Sequence, residues 1–211
     1  MKTLTKIGLI SLLIASIAST ASADEGLTGY LKLPYNIEQQ NVIPEPNAFY
    51  TLPGGISGYT FIDFEKEFYF GKSFLTTQPK KGISIKGEFV HINEPITEAG
   101  VGFQTDIPTP GESYANIYFL PQWTTQGKMT AGYFFQTTLP LGINFSTFGS
   151  WETLKNNLKN PQWSYGEIEI GKDIKTPLGT ITVIYNPMLL SQENGGPTPM
   201  LEHRVGINLP F

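Results

Sequence analysis

The chain is 211 residues long, with 14 basic against 18 acidic side chains, a formal net charge of −4 and no cysteine. That balance excludes the basic surface that nucleic-acid binding requires. It also leaves no disulfide framework, although a chain of this length can bury a core or close a barrel without one.

Lys2 and Lys6 precede a short apolar run over residues 7–18, and Ala21-Ser22-Ala23 supplies a small-x-small site. This is the pattern of a secretory signal peptide over residues 1–23, cut before Asp24. The run is too short for a transmembrane helix, which takes about 20 apolar residues. No cysteine follows the cut to accept a lipid. Losing Lys2 and Lys6 moves the net charge from −4 to −6.

Residues 24–55 read either as a periplasmic N-terminal extension or as an extra hairpin. Gly29–Pro34 and Ala48–Leu52 can each form a short strand, and Glu38–Pro46 between them is polar and carries proline.

From residue 56 onward a punctuation mark organises the chain. Proline followed closely by glycine recurs at Pro53-Gly54-Gly55, Pro79–Gly82, Pro108–Gly111, Pro140-Leu141-Gly142 and Pro177-Leu178-Gly179, and the chain ends where the next mark falls. Proline fixes φ and offers no N–H, while glycine supplies positive φ, so each mark is a tight turn. Each interval is one hairpin long. The spacing predicts strands near 57–65, 68–77, 83–92, 97–107, 113–123, 128–139, 142–151, 163–173, 180–188 and 201–211. The expected fold is all-β: one antiparallel up-and-down transmembrane barrel over residues 56–211, of about ten strands, or twelve if the N-terminal hairpin joins it.

The Pro/Gly turns share an end with the C-terminus and so are the short periplasmic turns. The other connections, Asn93–Ile96, Thr124–Gly127, Glu152–Gln162 and Ser191–Met200, are extracellular. Trp123, Trp151 and Trp163 fall at strand ends on that outer side, where an interfacial girdle places indoles. Trp151–Leu158 is the one helix-like stretch, expected in a loop.

The last strand alternates. His203, Val205, Ile207, Leu209 and Phe211 share one face, and Glu202, Arg204, Gly206 and Asn208 share the other. Period two with one apolar face is a strand, and apolar-out, polar-in is the unit of a membrane barrel. A terminal aromatic resembles the signal by which outer-membrane barrels reach the barrel-assembly machinery, here through the strand ending at Phe211. Charges on a lipid face cost a few kcal/mol at mid-depth, so a barrel must turn Lys86, Glu88, Glu167, Glu169 and Arg204 inward. Alternation also sends Tyr59, Phe61, Asp63, Tyr118, Phe148 and Tyr165 inward. These residues are the expected solute path, aromatic and of mixed charge.

Gly58-Tyr59-Thr60-Phe61-Ile62-Asp63-Phe64-Glu65 resembles the opening strand of the nucleoside-specific channel-forming outer-membrane proteins (the Tsx-like family), and Phe145–Trp151 resembles a later strand of that group. The resemblance implies passive diffusion of nucleosides, with Tyr59, Phe61, Asp63 and Phe148 as the matched inward positions. Flat solutes stack on such rings at about 1–3 kcal/mol per base.

An enzyme is not expected. His91 and His203 are the only histidines, both on the apolar face of their strands and outside any nucleophile motif. Glu167 and Glu169 share a face, but no His or Cys completes a metal set, so no metal or cofactor is expected. The expected function is a channel for passive diffusion of a small polar solute in the bacterial outer membrane, with outer-membrane lipid around it. A non-conducting barrel acting through its outer loops as adhesin or scaffold is the alternative, and a barrel enzyme acting on lipid or peptide is the second.

Overall fold

The computed structural model describes residues 27–64, 69–93, 98–121, 128–154, 162–177, 179–190 and 200–210. Residues 1–26 (which include the expected signal peptide), Trp123, most of each long loop and Phe211 lie outside these residues. The described chain is all strand and turn: β1 (Thr28–Asn36), β2 (Asn41–Val42), β3 (Glu45–Leu52), β4 (Ile56–Phe64), β5 (Tyr69–Thr76), β6 (Ile83–Ile92), β7 (Glu98–Ile107), β8 (Tyr114–Pro121), β9 (Lys128–Leu139), β10 (Ile143–Leu154), β11 (Gln162–Thr176), β12 (Gly179–Leu190) and β13 (Met200–Pro210). No described helix is long and apolar enough to cross a membrane, which leaves crossing by strands untouched.

From β3 to β13 every strand pairs antiparallel with the next in sequence, and β1 pairs with both β3 and β13. The sheet therefore closes into a barrel of twelve strands with β2 outside that ring. The count is twelve, not ten, because residues 28–52 supply a wall hairpin. Tyr35 faces Val42 in the same register in which Lys32 faces Glu45, so β2 is the tip of that hairpin. Pro34, Pro44 and Pro46 thin its ladder, since proline has no N–H to give.

The marked turns gather at one end, with the last residues of β13. At Leu141 and Gly142 both φ values are positive, 67° and 64°, a conformation that glycine takes freely and leucine does not. The Lys172 ammonium donates to the Leu141 carbonyl there. The helix-like reading of Trp151–Leu158 is corrected over its described part: Trp151–Leu154 continue β10, opposite Ala131, Thr130, Met129 and Lys128 of β9. Tertiary pairing overrides a weak local propensity here. The ladder instead absorbs an irregularity between β10 and β11 at Ser150/Trp151.

Alternation sorts the side chains into two shells. Outward ones are apolar and open: Phe103 is 61% exposed, Ile83 54% and Ile117 48%. Among described outward positions the one formal charge is Lys172, at the turn end. Trp163 and Trp151 meet edge to face at 5.0 Å on this shell. The Trp163 ring lies over Gly166 and Gly149, where a Cβ would collide with it. Its indole N–H donates to the Leu189 carbonyl at 2.9 Å.

Candidate lumen site

Inward side chains come from every strand of the ring, and their charges form two main ionic clusters and a smaller bridge nearer the loop end. The first joins β1, β3, β4 and β11–β13. Lys32 Nζ lies 2.7 Å from Glu167 Oε1, 2.9 Å from Glu169 Oε2 and 3.8 Å from Glu45 Oε2. Asn186 Nδ2 donates to Glu167 Oε1 at 2.8 Å, and the Tyr165 hydroxyl donates to Glu167 Oε2. Arg204 donates through Nε to Glu202 at 2.6 Å and stands 3.7 Å from Asp63. Lys32 and Arg204 are buried, at 3% exposure each.

The second cluster joins β5–β8. Lys72 Nζ lies 2.8 Å from Glu88, whose side chain is fully buried. Lys86 donates to Gln104 at 2.9 Å and sits over two rings, 4.7 Å from the centre of Phe74 and 4.4 Å from that of Tyr118. The second contact reaches over β7 to β8, so it ties non-adjacent walls. Asp106 accepts from the Tyr114 hydroxyl at 2.8 Å. Nearer the loop end Lys128 bridges Glu152 at 2.6 Å and Glu98 at 3.6 Å.

The structure thus gathers Tyr59, Phe61, Asp63, Phe148, Tyr165, Glu167, Glu169 and Arg204 around the first cluster, and Lys86, Glu88 and Tyr118 in the second. Tyr59 is committed to its neighbours: its hydroxyl donates to Asn47 Oδ1 at 2.6 Å, and its ring stacks on Phe49 at 4.8 Å and lies parallel to Phe74 at 6.2 Å. Phe61 packs against Phe70, and Phe148 against Tyr165 at 5.2 Å. His203 faces outward with its Nδ1 2.7 Å from the Tyr185 hydroxyl. The His91 side chain lies outside the described residues. No group of three His, Cys, Asp or Glu among the described residues could hold a metal.

Sequence reasoning missed Lys32, Glu45, Asn47, Lys72 and Lys128. A signal for two of them was present. The inward residues named from the sequence held more carboxylates than cations, and Lys32 and Lys72 are the cations that alternation places on the same face.

Counting the described inward charges, ten carboxylates (Glu45, Asp63, Glu88, Glu98, Asp106, Glu152, Glu167, Glu169, Asp173 and Glu202) stand against six cations (Lys32, Lys72, Lys86, Lys128, Lys175 and Arg204), a formal excess of four negative charges. Burying a charge costs several kcal/mol unless it is paired and hydrogen-bonded. An interior with this excess attracts cations from solution. At the turn end the interior opens into a cavity of about 390 Å³ between β1 and β10–β13. Comparison of the chain with protein-family models and with curated proteins gives no match to either.

Proposed function

We propose that the chain spans a bacterial outer membrane as a barrel and passes small polar solutes, cations in preference to anions. The outward shell supports the span, being apolar and open with its one described charge at the turn end; lipid on that shell is the partner it fits. The alternating strand Met200–Pro210, leading to Phe211, is the element for the barrel-assembly machinery to engage. The observation that carries the solute path is the inward excess of carboxylates. A dry, sealed core would hold unmatched charge at a cost that apolar residues of similar size would avoid. Mobile cations entering from solution offset it.

Planar bilayers containing the refolded chain test this. Under a salt gradient the reversal potential lies on the cation side, and Glu167→Lys with Glu169→Lys moves it toward anions. Insertion confirmed by heat-modifiable gel migration, together with an absence of current steps, overturns the proposal.

The narrower proposal is nucleosides. The parallel rings of Phe49, Tyr59 and Phe74 support it, as an inward aromatic run onto which a base could stack. Nucleoside block of the current, lost in the Tyr59→Ala/Phe61→Ala double variant, is the expected result; block that survives the substitutions removes the stacking role.

A second reading, a closed barrel that acts through its loops, is favoured by one observation. Asn47, Glu88 and Asn186 at mid-height are fully buried, and their neighbours are paired to one another. The same bilayer recording separates the two.

A further inference from the structure

The turn-end cavity has its own chemistry. Tyr30, Asn144, Glu169, Asp173, Thr182 and Asn208 line it, all on the inward face. Asp173 is held in place by Thr182 Oγ1 at 2.7 Å and Asn144 Nδ2 at 3.3 Å, and it has no cationic partner among the described residues. Glu169 gives one oxygen to Lys32 and the other to Asn208 Nδ2 at 3.4 Å. Asn208 is 8% exposed, and its Oδ1 has no hydrogen-bond partner among the described residues. An amide oxygen buried without a donor costs about 1–3 kcal/mol, so its position calls for a donor. The lining therefore offers a free carboxylate, a free amide oxygen and the face of Tyr30. It has acceptors to spare, and no cation of the described residues lies within ion-pair distance of Asp173.

We propose that this vestibule is a binding site for a small organic ammonium ion. The ammonium donates to Asp173 and to Asn208 Oδ1, and its carbon stem lies against the Tyr30 ring. An ammonium suits the site because it is donor-only, carries the charge that Asp173 lacks opposite it, and is attracted to an aromatic face. A carboxylate or phosphate would meet repulsion from Asp173 and Glu169. As a statement about the solute, this rests on the channel reading above; as a binding site, it stands apart from it.

Two measurements on the refolded full chain separate these. Saturation-transfer NMR in detergent reads binding of protonated ethanolamine, with neutral ethylene glycol as control. Planar-bilayer recording reads block of a potassium current by the same amine added from the turn side. Ethanolamine binds, ethylene glycol does not, and Asp173→Asn and Asn208→Leu each weaken ethanolamine binding about tenfold, the scale of one charge-assisted hydrogen bond. Asp173→Asn keeps size and shape, so it carries the test alone if Asn208→Leu fails to fold. Unchanged binding in the folded variants, or equal binding of the glycol, overturns the site. Binding without current keeps the site and sinks the channel reading; current without binding does the reverse.

Discussion

Lys72 and Glu88 form an ion pair 2.8 Å apart in which the glutamate is fully buried. Removing one partner leaves the other charged and unpaired, a loss of about 3–5 kcal/mol, whereas replacing both with apolar groups of like volume is often neutral. Lys72→Met should therefore destabilise by that amount, and Lys72→Met with Glu88→Met should recover most of it; urea unfolding of the refolded barrel measures both. If the losses simply add, the pair contributes nothing as a pair. Lys32 is the harder case, because among the described cations it alone stands within 4 Å of Glu45, Glu167 and Glu169. At this scale the sequence was legible where alternation met charge. Glu88, Glu167, Glu169 and Arg204 had to turn inward once a barrel was assumed. It was illegible for partners: Lys86 and Glu88 share a strand face, yet Glu88 pairs with Lys72 of the neighbouring strand, and only cross-strand register reveals that.

At the scale of elements, the hairpin of β1 and β3 is where reading by pattern gave way. Each Pro/Gly mark announces a turn because proline restricts φ in the unfolded chain as well as the folded one, and glycine admits the positive φ that the turn takes. Ten of the twelve wall strands follow from those marks. The first hairpin has no such mark at its tip, and its prolines argue against a central strand. What secures it is long-range pairing to β13, from Tyr30 opposite Pro210 to Asn36 opposite Arg204. Beyond Asn36 the seam is prolonged by a side chain: the His203 amide donates to Glu38 Oε2 at 3.0 Å, and the Ile37 amide donates to the His203 carbonyl. That amide holds the Glu38 carboxyl below the ordinary glutamate range. A carboxyl depressed on folding contributes stability above its unfolded pKa and loses it as pH falls through the folded value. The protection factor of the His203 amide, its exchange rate corrected for the intrinsic pH dependence, should therefore fall on acidification below the ordinary glutamate pKa. Glu38→Gln should flatten that dependence, and a pH response unaltered in the variant would mean the seam takes nothing from the carboxylate.

For the whole molecule, closure is the decisive property. Deleting Thr28–Leu52 removes β1 and β3 and leaves β4 and β13 as open edges, each a row of unpaired N–H and C=O groups. The truncated chain should lose heat-modifiable migration in detergent gels. Retention of that behaviour would make the hairpin an accessory to a self-sufficient ten-strand ring. The all-β class and the end at which the turns gather were legible, because both follow from local chemistry repeated along the chain. The enclosed interior was not. Its geometry depends on which strands face one another over the lumen, and no spacing in the sequence encodes that.

The seam between β1 and β13 joins residues at opposite ends of the chain, and Lys32 reaches a partner 135 positions away. No earlier step in assembly can form those contacts. Contacts between neighbouring hairpins are the local ones and are expected to form first, and the ion network around Lys32 needs the wall closed. Interactions that form after the rate-limiting barrier do little for the speed of folding and act on the reverse rate instead. The lumen network thus works as a lock on an assembled object, lengthening the lifetime of the closed barrel rather than hastening its formation.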